Sequence, residues 1–239
     1  LAEAINSEFL SSEKKLLVSA KLQNWIDNEV TTCLKPIRDK LEDDISPNVR
    51  AIAFNCFENL GTLEIDDFKD FIKDIDSKSK LQLSKLGIRI GAKYFFMPNL
   101  MKKKPIELNA ILWKNFHDFA KDETLPLPTD GRVSFSTHIQ MPLNYWQSIG
   151  YICINNFAFR VDVFEKIFFL IRKKIKNGPF LESSDIMNPI GCNSSQLKDI
   201  VEFCGYDSIN LSDGRKLYYF KQNKINTKKK KTKNKKIKK

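Results

Sequence analysis

The sequence predicts a mainly α fold with small β hairpins: a helical bundle, then a winged-helix-like domain, then a disordered Lys-rich tail. Three observations predict it. Apolar residues recur at helical spacing through most of the first 125 residues. Between residues 140 and 222, helical runs alternate with short β-prone pairs separated by turn residues. From Lys221 onward the chain holds eleven lysines and no acid, with almost nothing to bury.

The first helix is expected from Glu13 to Leu34, with Leu16, Leu17, Ala20, Trp25 and Ile26 at near-helical spacing. Ser46-Pro47 reads as a helix start, serine as the N-cap and proline at the first position. Val49, Ile52, Ala53, Cys56, Phe57 and Leu60 then make one apolar face, which Gly61 ends. A third helix is expected over about Asp66–Ile75. Residues 87–97 break the rhythm: aromatic and β-branched residues between glycines predict an extended stretch ended by Pro98. Pro105 opens a further helix carrying Leu108, Ile111, Leu112, Trp113 and Phe116. Thr124 to Arg132 reads as a loop and a domain boundary. The resulting organisation is a helical accessory domain over 1–125, a second domain over 140–222, and a tail over 223–239.

In the second domain, Leu143 to Ile149 is a short helix. Tyr151–Ile154 and Phe157–Val161 form a hairpin around Asn155-Asn156, residues that tolerate turn dihedrals. Val163 to Ile175 is an apolar helix with Phe164, Ile167, Phe168 and Ile171 facing inward. Ser184 to Ile190 is short, Gly191-Cys192 turns, and Asn193 caps a last helix with Gln196 completing a capping box. Two helices about a tight turn, then strands Ser208–Leu211 and Lys216–Phe220 around Ser212-Asp213-Gly214-Arg215, are the parts of a winged helix, placed at about 157–222.

The net charge of +11 lies wholly in the tail, since the other 29 basic residues are matched by 29 acidic ones. Such a tail attracts polyanions, and Lys228, Lys229, Lys230 and Lys231 are its densest run. Five cysteines without a close pair, and two distant histidines, argue against a zinc site and for reduced thiols in a cytoplasmic protein. There is no membrane-length apolar run. The opening residue, Leu1, suggests a piece of a longer chain. Neither a GxxxxGK[ST] loop nor a DExD/H tetrad is present, so no cofactor is expected in this stretch. Catalysis by it is disfavoured. The acids Glu42-Asp43-Asp44 and Asp66-Asp67 read as helix-end charges.

A more informative run lies between Ser77 and Ile106, which holds eight basic residues and no acid, with Tyr94, Phe95 and Phe96 interleaved. Cations beside aromatic faces suit single-stranded nucleic acid, although Phe95 and Met97 fit better as core. Arg89, Lys93, Lys102, Lys103 and Lys104 are the phosphate candidates there, and Arg215 and Lys216 those of the wing. The face of the last helix (Ser194, Ser195, Gln196, Lys198, Asp199) is barely basic, which disfavours sequence-specific duplex reading.

Residues 86–92, Leu-Gly-Ile-Arg-Ile-Gly-Ala, continuing through Phe96-Met97-Pro98-Asn99-Leu100-Met101-Lys102 and Pro105 to Leu112-Trp113, resemble a signature of certain alphaproteobacterial helicases. There it reads approximately LGVRFGA, FLPALLKP and LLW. Arg50 to Phe54 with Glu58 to Gly61 resembles their RGIAF and EALG segment. Residues 158–162 and 190–194 resemble later parts in the same order. These helicases are relatives of the mitochondrial degradosome RNA helicase, in superfamily two. Lys103 and Lys104 depart from the pattern, where Ala or Pro is usual, and the loop after His117 is shorter.

The resemblance implies an accessory C-terminal region of an ATP-dependent RNA helicase, with ATP and Mg²⁺ held by motor domains upstream of it. The expected partners are RNA or another single strand, those motor domains, and an exoribonuclease as a candidate. Two alternatives are a stand-alone winged-helix DNA-binding regulator, and a protein-docking scaffold for an RNA-degrading complex.

Overall fold

A computed structural model of the chain describes residues 11–35, 45–73, 75–119, 124–129 and 132–220. The tail from residue 221, and with it Lys228 to Lys231, lies outside the described residues, as does Glu42-Asp43-Asp44. The fold is mainly α with small antiparallel sheets.

The first helix, α1 (Ser12–Cys33), runs as its apolar spacing predicts, but none of its residues is buried. Leu16, Leu17 and Trp25 face solvent, while Leu34, just beyond the helix, enters the core. Helix α2 (Pro47–Glu58) starts at Pro47 as expected and buries Val49, Ile52, Ala53 and Cys56. Ser46 does not cap it with its side chain; the hydroxyl turns instead to Ser79, 3.4 Å away. Gly61, at φ 97°, takes the left-handed conformation that ends the helix. The expected third helix divides into a 3₁₀ turn (Ile65–Phe68), with Asp66 and Asp67 in its first turn, and α3 (Lys69–Lys73). Helix α4 (Ser77–Lys85), unforeseen by its weak apolar pattern, is capped by Asp76, whose carboxylate accepts from the Ser79 N–H at 2.7 Å.

The extended stretch at 87–97 folds back on itself. Strands β2 (Arg89–Ile90) and β3 (Tyr94–Phe96) pair antiparallel, and β1 (Thr62–Glu64) adds to the other side of β3. A central strand with both faces covered should be apolar throughout. Tyr94 and Phe96 enter a core with Phe164 and Ile167, while Phe95 and Met97 enter another with Ile52 and Leu83. The period-2 alternation of a strand thus sends one side chain to each core in turn. This explains the unbroken Tyr-Phe-Phe-Met run, and it makes these aromatics packing residues.

Helix α5 (Lys103–Phe116) packs through Ile106, Ala110 and Trp113 on α6 (Leu143–Ser148) in a third cluster. Asn109, fully buried between them, donates to the Ser148 carbonyl at 2.9 Å. Tyrosine hydroxyls pin the loop before α6: Tyr145 donates to Pro126 O and Tyr151 to Arg132 O. Strands β4 (Ser134–Ser136), β5 (Tyr151–Ile154) and β6 (Phe157–Arg160) form a second sheet in the order β4-β6-β5.

Helix α7 (Val161–Lys176) buries Phe164, Ile167, Phe168 and Ile171, the residues its periodicity selects. It is followed by β7 (Phe180–Leu181), α8 (Ser184–Met187), α9 (Ser194–Phe203), β8 (Tyr206–Asn210) and β9 (Lys216–Phe220). The three strands form an antiparallel sheet ordered β7-β9-β8. The capping box is present: Asn193 Oδ1 accepts from Gln196 N–H, and Asn193 N–H donates to Gln196 Oε1, both at 2.9 Å.

Candidate nucleic-acid interface

The start of α5 gathers positive charge where a helix least favours it. Lys102 is the N-cap residue, Lys103 and Lys104 follow, and the first turn holds no acid. No side chain caps this end, Pro105 in its first turn has no N–H to donate, and the Ile106 N–H is given to the Lys102 carbonyl at 3.0 Å. The helix dipole makes each cation here unfavourable by roughly 0.3–1 kcal/mol, and an anion favourable.

Tertiary structure adds to it. A cleft of about 730 Å³ is lined by Lys102, Lys103 and Lys104 together with Lys35 from the end of α1 and Lys85 from the end of α4. Among the described residues lining it there is no carboxylate. The Glu29 carboxylate lies 3.9 Å from Lys104 Nζ on an exposed pair worth little in water. Lys102 and Lys103 also line a second groove of about 340 Å³, of mixed charge, with Glu107, Arg132 and Arg160. Arg160 is partly neutralised by Asp162, whose carboxylate accepts from it at 2.6 and 3.0 Å.

The other sequence-predicted residues lie elsewhere. Arg89, on exposed β2, lines a groove beside α7 with Lys166 and Phe169. Lys93 occupies the β2–β3 turn with its Nζ 4.5 Å over the Phe203 ring, a cation–π contact that ties this turn to the end of α9. Arg215 lies in the β8–β9 turn, 2.6 Å from Asp213, and this bond holds the Asp213 carboxyl below its ordinary range. Lys216 donates to the Ser194 carbonyl at 3.1 Å, bracing the β8–β9 hairpin against α9. The structure therefore brings Lys102, Lys103 and Lys104 together, and separates them from Arg89, Lys93, Arg215 and Lys216. Lys35, which the sequence reading missed, carries no local signal, because only the fold brings the end of α1 beside α5.

The same turn that carries Lys93 rests on a buried carboxylate. Glu165 of α7 is 8% exposed. Its Oε2 accepts from the Ala92 N–H at 2.5 Å, and its Oε1 from the N–H groups of Lys93 and Tyr94 at 2.9 and 2.7 Å. Burial pushes its carboxyl above the usual range, while the three N–H donors and Lys93 pull the other way and only partly offset it. This carboxylate positions the turn and is spent on backbone, so it is not poised as a base. Burial likewise pushes the Cys56 and Cys204 thiols up to about 12, which leaves them as packing groups at neutral pH. Among the described residues no group of His, Cys, Asp and Glu could hold a metal ion, and no helix is long and apolar enough to cross a membrane.

In comparisons with known proteins, no protein-family model, no curated protein and no solved structure matches the chain.

Proposed function

We propose that the chain is an RNA-binding accessory region, and that the lysine cleft at the start of α5 grips the phosphate backbone of a single strand. The observation that carries this reading is the placing of three lysines on an uncapped helix N-terminus, joined there by Lys35 and Lys85. The resemblance of residues 86–113 to the helicase signature supports a particular enzyme for it to serve, an ATP-dependent RNA helicase with its motor upstream. Residues 161–220 run helix, strand, two helices, hairpin, with sheet order β7-β9-β8. That arrangement supports a winged helix. Its α9 face offers Ser195, Gln196 and Asp199, with Lys198 3.6 Å from Glu202. So weakly charged a face suits a supporting module better than a duplex-reading regulator.

The test is fluorescence anisotropy with labelled single-stranded RNA over a salt series, on the chain with and without residues 222–239. Each phosphate neutralised on a single strand contributes about −0.7 to the log–log salt slope. Replacing Lys102, Lys103 and Lys104 together by serine should therefore flatten the slope by about 2, and weaken binding at least tenfold at moderate salt. Loss of all RNA binding on removing residues 222–239 would instead make the body a docking scaffold.

One of these lysines separates binding from stability. Lys102→Ser supplies the missing N-cap oxygen and removes an unfavourable cation, so it should raise stability by about 1 kcal/mol while weakening RNA binding. Thermal unfolding beside the anisotropy titration checks both, and a fall in melting temperature would show that Lys102 supports the helix instead.

A further inference from the structure

Helix α7 has a second face that its packing leaves unused. Lys166, Phe169, Lys173 and Lys176 recur at three- and four-residue spacing and form one exposed stripe, about 15 Å long. Phe169 lies in the most apolar run of the chain, yet it is 64% exposed. Phe220, where β9 ends, is exposed to the same extent, and its ring lies 6.2 Å from that of Tyr206. Between these aromatics lies a groove of about 730 Å³ walled by Arg172, Lys173 and Lys176.

Phe169 and Arg172 also line the groove of about 1010 Å³ that reaches Arg89. Two carboxylates line that second groove, and both are engaged. Asp162 binds Arg160, and Glu165 holds the β2–β3 turn. The surface thus combines accessible π-faces with cations, and no carboxylate is among the described residues lining the 730 Å³ groove. The sequence continues from Phe220 directly into the eleven-lysine tail, so the most basic segment of the chain departs from the groove's rim.

We propose that the outer face of α7 and the end of β9 form a base-stacking platform for single-stranded nucleic acid, separate from the lysine cleft. Duplexes bury their base faces in the stack, whereas a single strand can lay bases on Phe169 and Phe220 while its phosphates meet Arg172, Lys173 and Lys176. An apolar protein partner would leave those cations unpaired. The platform neither requires the cleft nor is required by it.

The experiment uses the full chain and two labelled strands of equal length, oligouridine and an abasic strand of the same charge. Phe169→Ala combined with Phe220→Ala should weaken oligouridine binding roughly tenfold, leave the abasic strand's affinity unchanged, and preserve the salt slope. Phe169→Leu keeps the apolar bulk and should behave like Phe169→Ala, whereas Phe169→Trp should restore binding. Both rings are exposed, so folding is retained. The triple lysine variant of the cleft should weaken both strands alike, which keeps the two sites distinguishable. Unchanged oligouridine binding by the double phenylalanine variant, or an equal loss on both strands, would overturn the platform.

Discussion

Replacing Glu165 by glutamine is expected to destabilise the protein by about 2–3 kcal/mol, although the two side chains have nearly the same shape. The carboxylate accepts on both oxygens, from Ala92 on one side and from Lys93 and Tyr94 on the other. An amide accepts only through its carbonyl, so in either orientation its NH₂ faces an N–H donor. At least one buried backbone donor then loses its partner, and each such loss costs about 1–3 kcal/mol. Urea unfolding measures the gap, and pH adds a second signature. Burial raises the carboxyl's folded value above its unfolded one, so the native state binds the proton more tightly. Wild-type stability should be greatest on the acid side of the ordinary carboxyl range. It should fall as pH rises toward the raised value and then level off. Glutamine does not titrate, so the gap between the two proteins should narrow across that window. Equal stability of the two proteins would contradict the assignment.

The second large effect is expected at Gly91. Its backbone is not in the left-handed region, so conformational freedom is not the reason for glycine. Space is the reason. A Cβ here would lie 2.3 Å from the Glu165 carboxyl carbon and 2.6 Å from each of its oxygens. The contact is with a carboxylate held by three hydrogen bonds, and it can yield only by releasing them. Gly91→Ala should therefore cost about 3 kcal/mol, more than ordinary overpacking. In a Glu165→Ala background the obstruction is gone, and the same substitution should cost less than about 1 kcal/mol. The double-mutant cycle should thus show a coupling of about 2 kcal/mol. Additive effects would mean that the turn is held by something other than this carboxylate.

Much of the helical framework was legible because its signals are local. The inward face of α7, the Asn193–Gln196 capping box and the proline start of α2 each rest on residues within a few positions of one another. The short strands were not legible in the same way. β7 has two residues and pairs with Tyr218 and Leu217, and β1 has three and pairs with residues 94–96. Pairing over such distances leaves no periodicity in so few residues. α1 shows the converse: its apolar spacing is real, but no described element covers Leu16, Leu17 or Trp25.

The site divides along the same line. Lys102 to Lys104 stand out as a run in the sequence, whereas Lys35 joins them only through tertiary structure. Phe169 was hidden inside an apolar stretch. Its phase was the available signal, since it falls between the inward positions 164, 167, 168 and 171 and so points outward.

The two-sided burial of β3 has a consequence for anyone who would divide this chain. A piece beginning near residue 132 would keep α7 but lack Tyr94 and Phe96, leaving a hollow two rings wide against Phe164. A piece ending near residue 119 would keep those rings and present them, greasy and unsheltered, to water. Each half would inherit a wound shaped like the other. The wall belongs to both rooms, and neither can be moved without rebuilding its neighbour.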